Sequence, residues 1–319
     1  MTSNETSDAA PTPEERVRLR SMLARPLPEI PPVYFYDDRG SDLFEAITGL
    51  PEYYQTRAEI GILERHAGEI MAAAAPRRVV ELGSGAGRKI RLLLDAWGRR
   101  EGGRCTMLDV NATFLDRSVA RLRSAYPGLG VDGVVGDFTR DLDRLGAGGG
   151  RLTVFFGGTI GNLYPDERRA FFEGLAGGRA PDDALLLGVD LVKERARLEA
   201  AYNDGAGLTA EFNRQALRTL NQRFGADFVP EAFEHVAFYD AENAWIEMRL
   251  RARSRQVVRI PGIDLRLELA AGAEIRTEVS CKFTRSSVAA AAAGLVIDGW
   301  YGDRGGLFAL ALLRPAAAG

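Results

Sequence analysis

Cysteine and histidine are scarce in this 319-residue sequence, which contains two of each. Cys105 and Cys281 are too few for a disulfide framework, and together with His66 and His235 they lack the spacing of metal-ligand motifs. We therefore expect all four residues to be structural or to lie at the surface, and we predict no metal site.

Strong net charge and long apolar runs are also missing. The formal net charge is −3, and basic and acidic residues are interspersed, unlike the basic surface of a nucleic-acid-binding protein. The longest apolar runs, such as residues 184–189 and 307–313, have the length of core strands rather than of membrane spans. Residues 1–15 lack the features of a signal peptide and predict a disordered lead-in. We expect a cytoplasmic, monomeric protein without nucleic-acid or membrane partners.

A glycine-rich stretch, VVELGSGAG at residues 79–87, joins a β-branched run to an apolar helical pattern. Glycines at 83, 85 and 87 let the backbone turn sharply and approach a ligand. A dinucleotide fingerprint would be G-x-G-x-x-G, with a pyrophosphate at the helix N-terminus. Here the carboxylate of Glu81 would repel a pyrophosphate but could pair with a cation. The motif therefore favours S-adenosylmethionine, which carries a sulfonium, an ammonium and no phosphate, over a nicotinamide dinucleotide.

Polar residues follow the next predicted strands. Asp109 ends a strand about twenty residues beyond the glycines, where a carboxylate typically accepts the ribose hydroxyls of a nucleoside. Asp137 and Phe138 follow another strand, where an acid and an aromatic ring can contact adenine, although Asp137 could instead cap its loop. Asn162 lies in a further stretch of glycines at a strand end, which is typical of backbone pressed against a ligand.

Strand and helix patterns alternate five times up to Asp190, which predicts an α/β fold with a doubly wound, parallel, Rossmann-like sheet. Residues 245–253 then alternate apolar with charged side chains, as in an antiparallel strand with one wet face. We expect a discontinuous α+β substrate-binding domain at 16–57 and 193–283. The cofactor-binding domain is expected at 58–192 and 284–319, its last hairpin returning to the first sheet.

The N-terminal part contains two aromatic clusters, YFYDDRGSDLF at 34–44 and LPEYYQTR at 50–57. Asp42 or Ser41 is expected to cap a helix that carries Leu43, Phe44 and Ile47. The tyrosines beside these turn signals fit a ligand site, and they fit an amphipathic core patch equally well.

These two clusters, together with VELGSG, GTIGNL at 158–163 and TEVSCKF at 277–283, resemble the histidine-specific S-adenosylmethionine-dependent methyltransferase family. The resemblance covers nearly the whole chain after about residue 25. It implies a class I S-adenosylmethionine methyltransferase sheet, L-histidine as substrate, and formation of hercynine for ergothioneine biosynthesis. Cofactor positions of the family match Gly83, Lys89, Asp109, Asp137 and Phe138. Positions implied for the substrate and catalysis match Tyr36, Phe44, Tyr53, Asn162, Tyr202, Met248, Glu278, Val279 and Ser280.

Hydrogen-bond chemistry is compatible with this assignment, because a neutral imidazole offers one donor and one acceptor. Glu278 can accept from a ring N–H, and Ser280 can bond the other nitrogen. The hypothesis is direct methyl transfer to the α-amine, with Asn162 orienting the amine and Tyr36 contacting it. Three alternatives stay open: an Nα-methyltransferase for another aromatic amino acid such as tryptophan, a non-catalytic S-adenosylmethionine-binding protein, and a nicotinamide oxidoreductase.

Overall fold

The computed structural model describes residues 10–98, 101–146, 149–176 and 180–316. The chain divides into two compact units. We call Met1–Tyr53 with Glu194–Val279 the α+β unit, and Tyr54–Lys193 with Ser280–Gly319 the Rossmann-like unit. The predicted lead-in falls partly on residues 1–9, which lie outside the described residues, and the first helix already begins at Pro13.

The Rossmann-like unit alternates strands and helices along the chain. Its elements are α3 (Tyr54–Ala74), β1 (Arg78–Leu82), α4 (Arg88–Ala96), β2 (Arg104–Asp109), α5 (Ala112–Ala125), β3 (Gly130–Val135), β4 (Arg151–Phe155), α6 (Pro165–Ala176), β5 (Ala184–Asp190), α9 (Arg285–Ala291), β11 (Leu295–Gly302) and β12 (Phe308–Pro315).

These strands form one seven-stranded sheet in the order β11-β12-β5-β4-β1-β2-β3. The pairs β1–β2, β1–β4, β2–β3 and β4–β5 are parallel, whereas β12 runs antiparallel to both β5 and β11. β4 and β5 are buried along their whole length, because a parallel sheet is covered by helices on both faces. The predicted doubly wound sheet is confirmed, and so is the return of the last hairpin to it.

The α+β unit contains α1 (Pro13–Leu23), α2 (Asp38–Thr48), α7 (Arg195–Ala200), α8 (Leu208–Phe224), β6 (Phe233–Asp240), β7 (Trp245–Ala252), β8 (Gln256–Ile260), β9 (Leu265–Leu269) and most of β10 (Glu274–Cys281). One sheet has the order β10-β7-β6, and β8 and β9 form a separate hairpin. The two compact units divide at 53/54, 193/194 and 279/280, whereas the expected domain boundaries are 57/58, 192/193 and 283/284. That this unit is a separate substrate-binding domain stays a prediction.

The cap expected for the second helix is wrong. Asp37, rather than Asp42 or Ser41, caps α2, and its Oδ1 accepts from the backbone N–H of Gly40 at 2.7 Å. The helix therefore begins about one turn before its first apolar position. The Asp37 side chain accepts from a backbone N–H group that has no partner within the helix, which stabilises the earlier start.

No helix among the described residues is both long and apolar enough to cross a membrane.

Gly40 is the position in α2 where a side chain cannot be accommodated. A Cβ there would lie 1.6 Å from the carbonyl oxygen of Phe35, which belongs to the backbone and cannot rotate away. We expect Gly40→Ala to lower the free energy of unfolding by about 3 kcal/mol, as measured by urea denaturation.

The matched control is Gly49→Ala at the other end of the same helix. Gly49 has φ −86°, and its nearest contact would be an ordinary 3.4 Å. Its replacement should cost less than about 1 kcal/mol. Equal losses in the two variants would contradict the steric argument.

Candidate functional site

A tight glycine turn follows β1. Gly83 and Gly85 have φ of 62° and 49°, which L side chains rarely adopt, and a Cβ on either would meet open space rather than protein. Gly87, at φ 64°, caps α4 and packs instead against Met107, whose Cε would lie 3.3 Å from an added Cβ. The first two glycines therefore leave room for a ligand, and the third allows close packing of the helix.

Asp109 at the end of β2 is held beside this turn. Its carboxylate accepts from the backbone N–H of Gly85 at 2.9 Å and from that of Asn111 at 3.0 Å. Burial raises the pKa of Asp109, while these N–H groups act to lower it. The carboxylate is thus fixed in place at the carboxyl edge of the sheet, where a nucleoside would bind in an open α/β sheet.

Two buried carboxylates surround Lys89 in the first turn of α4. Glu59 has no exposed surface; it accepts from Gly157 N–H at 2.9 and 3.1 Å, and its Oε2 lies 2.6 Å from Lys89 Nζ. Burial raises the pKa of Glu81 well above its usual range, although the positive charge of Lys89 acts to lower it.

Two buried polar atoms at this turn, Glu81 Oε2 and Ser84 Oγ, have no hydrogen-bond partner within the described ranges. A ligand with an ammonium and hydroxyl donors would supply the missing partners, whereas a pyrophosphate would face the carboxyl groups. The donor and acceptor set therefore fits S-adenosylmethionine.

Asp137 and Phe138 follow β3 as expected, and each also has a structural role. Oδ1 of Asp137 accepts from Thr139 N–H at 2.8 Å and Thr139 Oγ1 at 2.7 Å, which is the loop cap considered as an alternative. The half-buried ring of Phe138 packs 4.8 Å from that of Phe155 at the end of β4. Both residues lie at the carboxyl edge of the sheet, and these bonds leave a contact with adenine as a prediction.

The short helix that carries Asn162 lies against the end of β10 within the Rossmann-like unit. Asn162 ends a short 3-10 helix (Thr159–Asn162), and its neighbour Gly161 lies so near β10 that a Cβ would come 2.8 Å from Cys281 O. Gly161 is therefore required for this approach.

Asp190 ends β5 in the same unit and is 1% exposed. Tyr54 Oη donates to its carboxylate at 2.9 Å, Gln55 Nε2 at 3.0 Å and Lys282 Nζ at 3.0 Å. Lys193 also donates to it, and burial lowers the pKa of Lys193 to about 8 against the attraction of Asp190.

Lysine is rare in this chain, since all basic residues other than Lys89, Lys193 and Lys282 are arginines. Each of the three lysines pairs with a buried carboxylate of the Rossmann-like unit. Their placement marks the carboxyl edge of the sheet as a site of concentrated buried charge.

Three of the predicted aromatic residues of the α+β unit, Tyr36, Phe44 and Tyr53, form one cluster. The ring of Phe44 lies 5.8 Å from Tyr36 and 6.1 Å from Tyr53, each in an edge-to-face arrangement. Phe212 on α8 contacts both Tyr36 at 5.6 Å and Phe44 at 5.8 Å. The sequence does not indicate that Phe212 belongs to this cluster, because its spacing on α8 predicts only a helix face.

A polar network in the α+β unit holds the backbone of Tyr202. Asn213, fully buried, donates from Nδ2 to Arg249 O at 3.0 Å and to His235 Nδ1 at 2.8 Å, and its Oδ1 accepts from Thr277 Oγ1 at 2.6 Å. His235 Nε2 lies 2.8 Å from Tyr202 O. Because that carbonyl can only accept and Nδ1 already accepts, His235 is the neutral Nε2–H tautomer.

The remaining predicted residues lie on two neighbouring strands. Glu278 and Ser280 are two positions apart on β10, so their side chains share a face, and that of Val279 points to the other. Val279 can therefore contribute to the Glu278–Ser280 face only through its backbone. Met248 on β7 is 2% exposed, and its carbonyl oxygen lies 3.1 Å from Thr277 Oγ1.

Three charged residues of the candidate site were missed from the sequence. Asp190 stands at a strand end, and Lys282 lies in the quoted segment TEVSCKF, so position and motif could have indicated both. Glu59 lies inside a helical pattern that carries no such signal. Within the described residues, no group of three or more histidine, cysteine, aspartate or glutamate side chains could hold a metal ion.

Burial lowers the pKa of His235, with the bond to Tyr202 opposing it. The folded α+β unit thus binds the proton less readily than the unfolded chain, and the stability that neutral His235 contributes is lost as pH falls from about 6.5 through the lowered pKa. We expect the difference in unfolding free energy between the unmodified protein and His235→Gln to narrow between pH 7 and 5.5, measured by urea denaturation.

His66→Gln is the control, since His66 is the other histidine of the chain and pairs with Glu69 near the surface. It should not reproduce the narrowing. Using the difference between variants removes the opposite contributions of Glu81 and Asp109, whose pKa values are raised. A pH-independent difference for His235→Gln would refute the locked neutral tautomer.

Known proteins resemble this chain over nearly its whole length. It is 47% identical over 309 residues to the histidine N-alpha-methyltransferase of Mycolicibacterium smegmatis, covering 95% of this chain and 96% of the relative. It is 46% identical over 295 residues to that of Mycobacterium tuberculosis, covering 92% of each.

The solved structure of the PH0226 protein from Pyrococcus horikoshii matches with a TM-score of 0.51 at 14% identity, covering 88% of this chain and all of that one, which supports the fold alone. The family model for the SAM-dependent, histidine-specific methyltransferases matches residues 15–315. The glycine turn, the fixed Asp109 and the buried carboxylates thus stand in a chain that belongs to the histidine-specific, S-adenosylmethionine-dependent methyltransferase family.

Proposed function

We propose that this protein transfers methyl groups from S-adenosylmethionine to the α-amine of L-histidine, three times in succession, giving hercynine for ergothioneine biosynthesis. The observation that carries the proposal is the 47% identity to a histidine N-alpha-methyltransferase along almost the full length of both chains. The hydrogen-bonding side chains of β10 support it, since an amino-acid site for histidine needs a matched donor and acceptor. A monomeric state and a cytoplasmic location stay predictions.

The Rossmann-like unit holds the methyl donor in this proposal. Asp109 accepts the ribose hydroxyls, Asp137 and Phe138 contact the adenine, and Gly83 admits the amino-acid portion to the turn. Lys89, already oriented by Glu59 at 2.6 Å, pairs with the carboxylate of the donor. S-adenosylmethionine supplies a methyl group on a sulfonium, and the thioether that leaves requires neither an acid nor a metal.

L-Histidine is held by hydrogen bonds at both ends. Glu278 accepts from a ring N–H, and Ser280 bonds the second nitrogen, with the backbone of Val279 between them. Tyr202 binds the carboxylate, and Tyr53 contacts the amine or carboxylate. Phe44 and Met248 provide apolar surface for the ring. Phe44 belongs to the aromatic cluster, and Met248 is buried.

The residues at the amine control its orientation and its proton. Asn162 directs the amine through its side-chain carbonyl. An amine near neutral pH is mostly protonated, so a proton must leave before each transfer, and the Tyr36 hydroxyl or a water relays it to the solvent. The aromatic faces of Tyr36 and Phe44 attract the methylammonium as it forms. Catalysis then depends mainly on alignment and on removing water from the amine.

Mass spectrometry tests the reaction directly. Incubated with L-histidine and S-adenosylmethionine, the protein should produce histidine that carries three added methyl groups, together with S-adenosylhomocysteine. Tryptophan in place of histidine separates the tryptophan alternative. Absence of any methylated amino acid, with S-adenosylhomocysteine binding intact by calorimetry, would instead support a non-catalytic binding protein, and binding of NAD alone would support an oxidoreductase.

Glu278→Ala tests the specificity. Loss of a hydrogen bond to a charged acceptor should lower kcat/KM for histidine by roughly 10- to 100-fold, while tryptophan turnover should not fall in parallel because its indole needs no such pair. The control is Glu242→Ala, which removes an exposed carboxylate from the turn between β6 and β7. Unchanged histidine kinetics in Glu278→Ala would remove Glu278 from the site.

A further inference from the structure

Lys282 is a wholly buried ammonium that the proposed reaction does not use. Its side chain has no exposed surface, and its Nζ lies 3.0 Å from Asp190 Oδ2 and 2.9 Å from Ser280 Oγ. A buried charge is expensive unless it is paired and hydrogen-bonded. Asp190 provides that pairing and is itself fixed by Tyr54 and Gln55.

The chemistry of Lys282 determines how Ser280 uses its hydroxyl. An ammonium carries three N–H donors and no acceptor, so Ser280 Oγ must be the acceptor in the bond between them. The single proton of the hydroxyl is therefore directed toward an acceptor elsewhere. Ser280 is left polarised as a hydrogen-bond donor on the face of β10 that it shares with Glu278.

We infer that Lys282, anchored by Asp190, is a positioning residue that makes Ser280 donate to the unprotonated nitrogen of the substrate imidazole. With Glu278 accepting from the N–H of the same ring, the site takes neutral imidazole in one tautomer. Imidazolium carries an N–H on both nitrogens, so one of these donors would face the donating O–H of Ser280 without an acceptor between them. This inference rests on the proposed function, and it adds a preference for the protonation state of the substrate.

A double-mutant cycle tests whether Lys282 affects histidine methylation through the Ser280 hydroxyl. Lys282→Met alone should lower kcat/KM for histidine about tenfold, mainly by raising KM. In the Ser280→Ala background the same substitution should have almost no further effect, because no hydroxyl remains to be polarised. Additive losses would overturn the inference.

Lys193→Met is the matched control. Lys193 pairs with the same Asp190 and is nearly as buried, yet it donates to Tyr54 rather than to Ser280. Its effect should therefore be the same in the presence and absence of the Ser280 hydroxyl. Coupling of Lys193 to Ser280 as strong as that of Lys282 would show a general effect of buried charge, which overturns the inference.

The pH dependence of KM gives a second readout, which a merely structural role would not move. The imidazole of free histidine titrates near pH 6.5, so KM of the unmodified protein should rise as pH falls below about 6.5. Ser280→Ala should flatten that rise. Lys282→Gln should flatten it as well, because an amide oxygen can accept the Ser280 proton and free the hydroxyl oxygen to accept from imidazolium.

Binding of S-adenosylhomocysteine by calorimetry confirms that each variant is folded. If Lys282→Met does not fold, Lys282→Gln replaces it in the cycle, and the Ser280→Ala profile stands independently of both. If KM rises equally below about pH 6.5 in Ser280→Ala and in the unmodified protein, the inference is overturned. Failure of the unmodified protein to methylate histidine would instead overturn the proposed function, so the two failures are distinguishable.

Discussion

Buried negative charge at the carboxyl edge of the seven-stranded sheet is the constraint on which the Rossmann-like unit depends. Glu59 and Asp190 are at most 1% exposed. Removing one partner from a buried ion pair typically costs about 3–5 kcal/mol. The unit meets this constraint with its few lysines, since Lys89 lies against Glu59, and Lys193 and Lys282 against Asp190.

The same edge of the sheet also has polar atoms and open space that a ligand could use. Glu81 Oε2 and Ser84 Oγ keep unsatisfied hydrogen-bonding positions among the described residues, and Gly83 and Gly85 leave open space beside them. Charge that is expensive in an empty turn becomes favourable when a cationic nucleoside binds there. The stability of the unit and its affinity for the methyl donor are thus expected to draw on the same carboxylates.

The α+β unit holds buried polar side chains in fixed protonation states through hydrogen bonds between neutral groups. Asn213 satisfies a strand carbonyl, a threonine hydroxyl and a histidine nitrogen at once, and the orientation of each partner follows from which atoms can donate. The neutral His235 then fixes the backbone at Tyr202. Recognition of a small zwitterion requires this kind of order, because a hydrogen bond discriminates only when its partner cannot rotate to suit another ligand.

The sequence by itself determined the alternating α/β fold, the glycine turn, the strand-end aspartates and the family, because these depend on short-range periodicity and on motifs of a few residues. It did not show β6, whose eight residues are mostly half-buried and lack a clean alternation, so that the strand is defined by its pairing with β7. Tertiary structure alone decided the partners of the buried charges. Glu59 meets Gly157 across 98 residues and Tyr54 meets Asp190 across 136. Such contacts follow from how strands and helices pack, which local sequence does not encode. In the sequence Lys282 is one residue of a motif, and only its contacts with Asp190 and Ser280 in the folded chain indicate that it polarises the Ser280 hydroxyl.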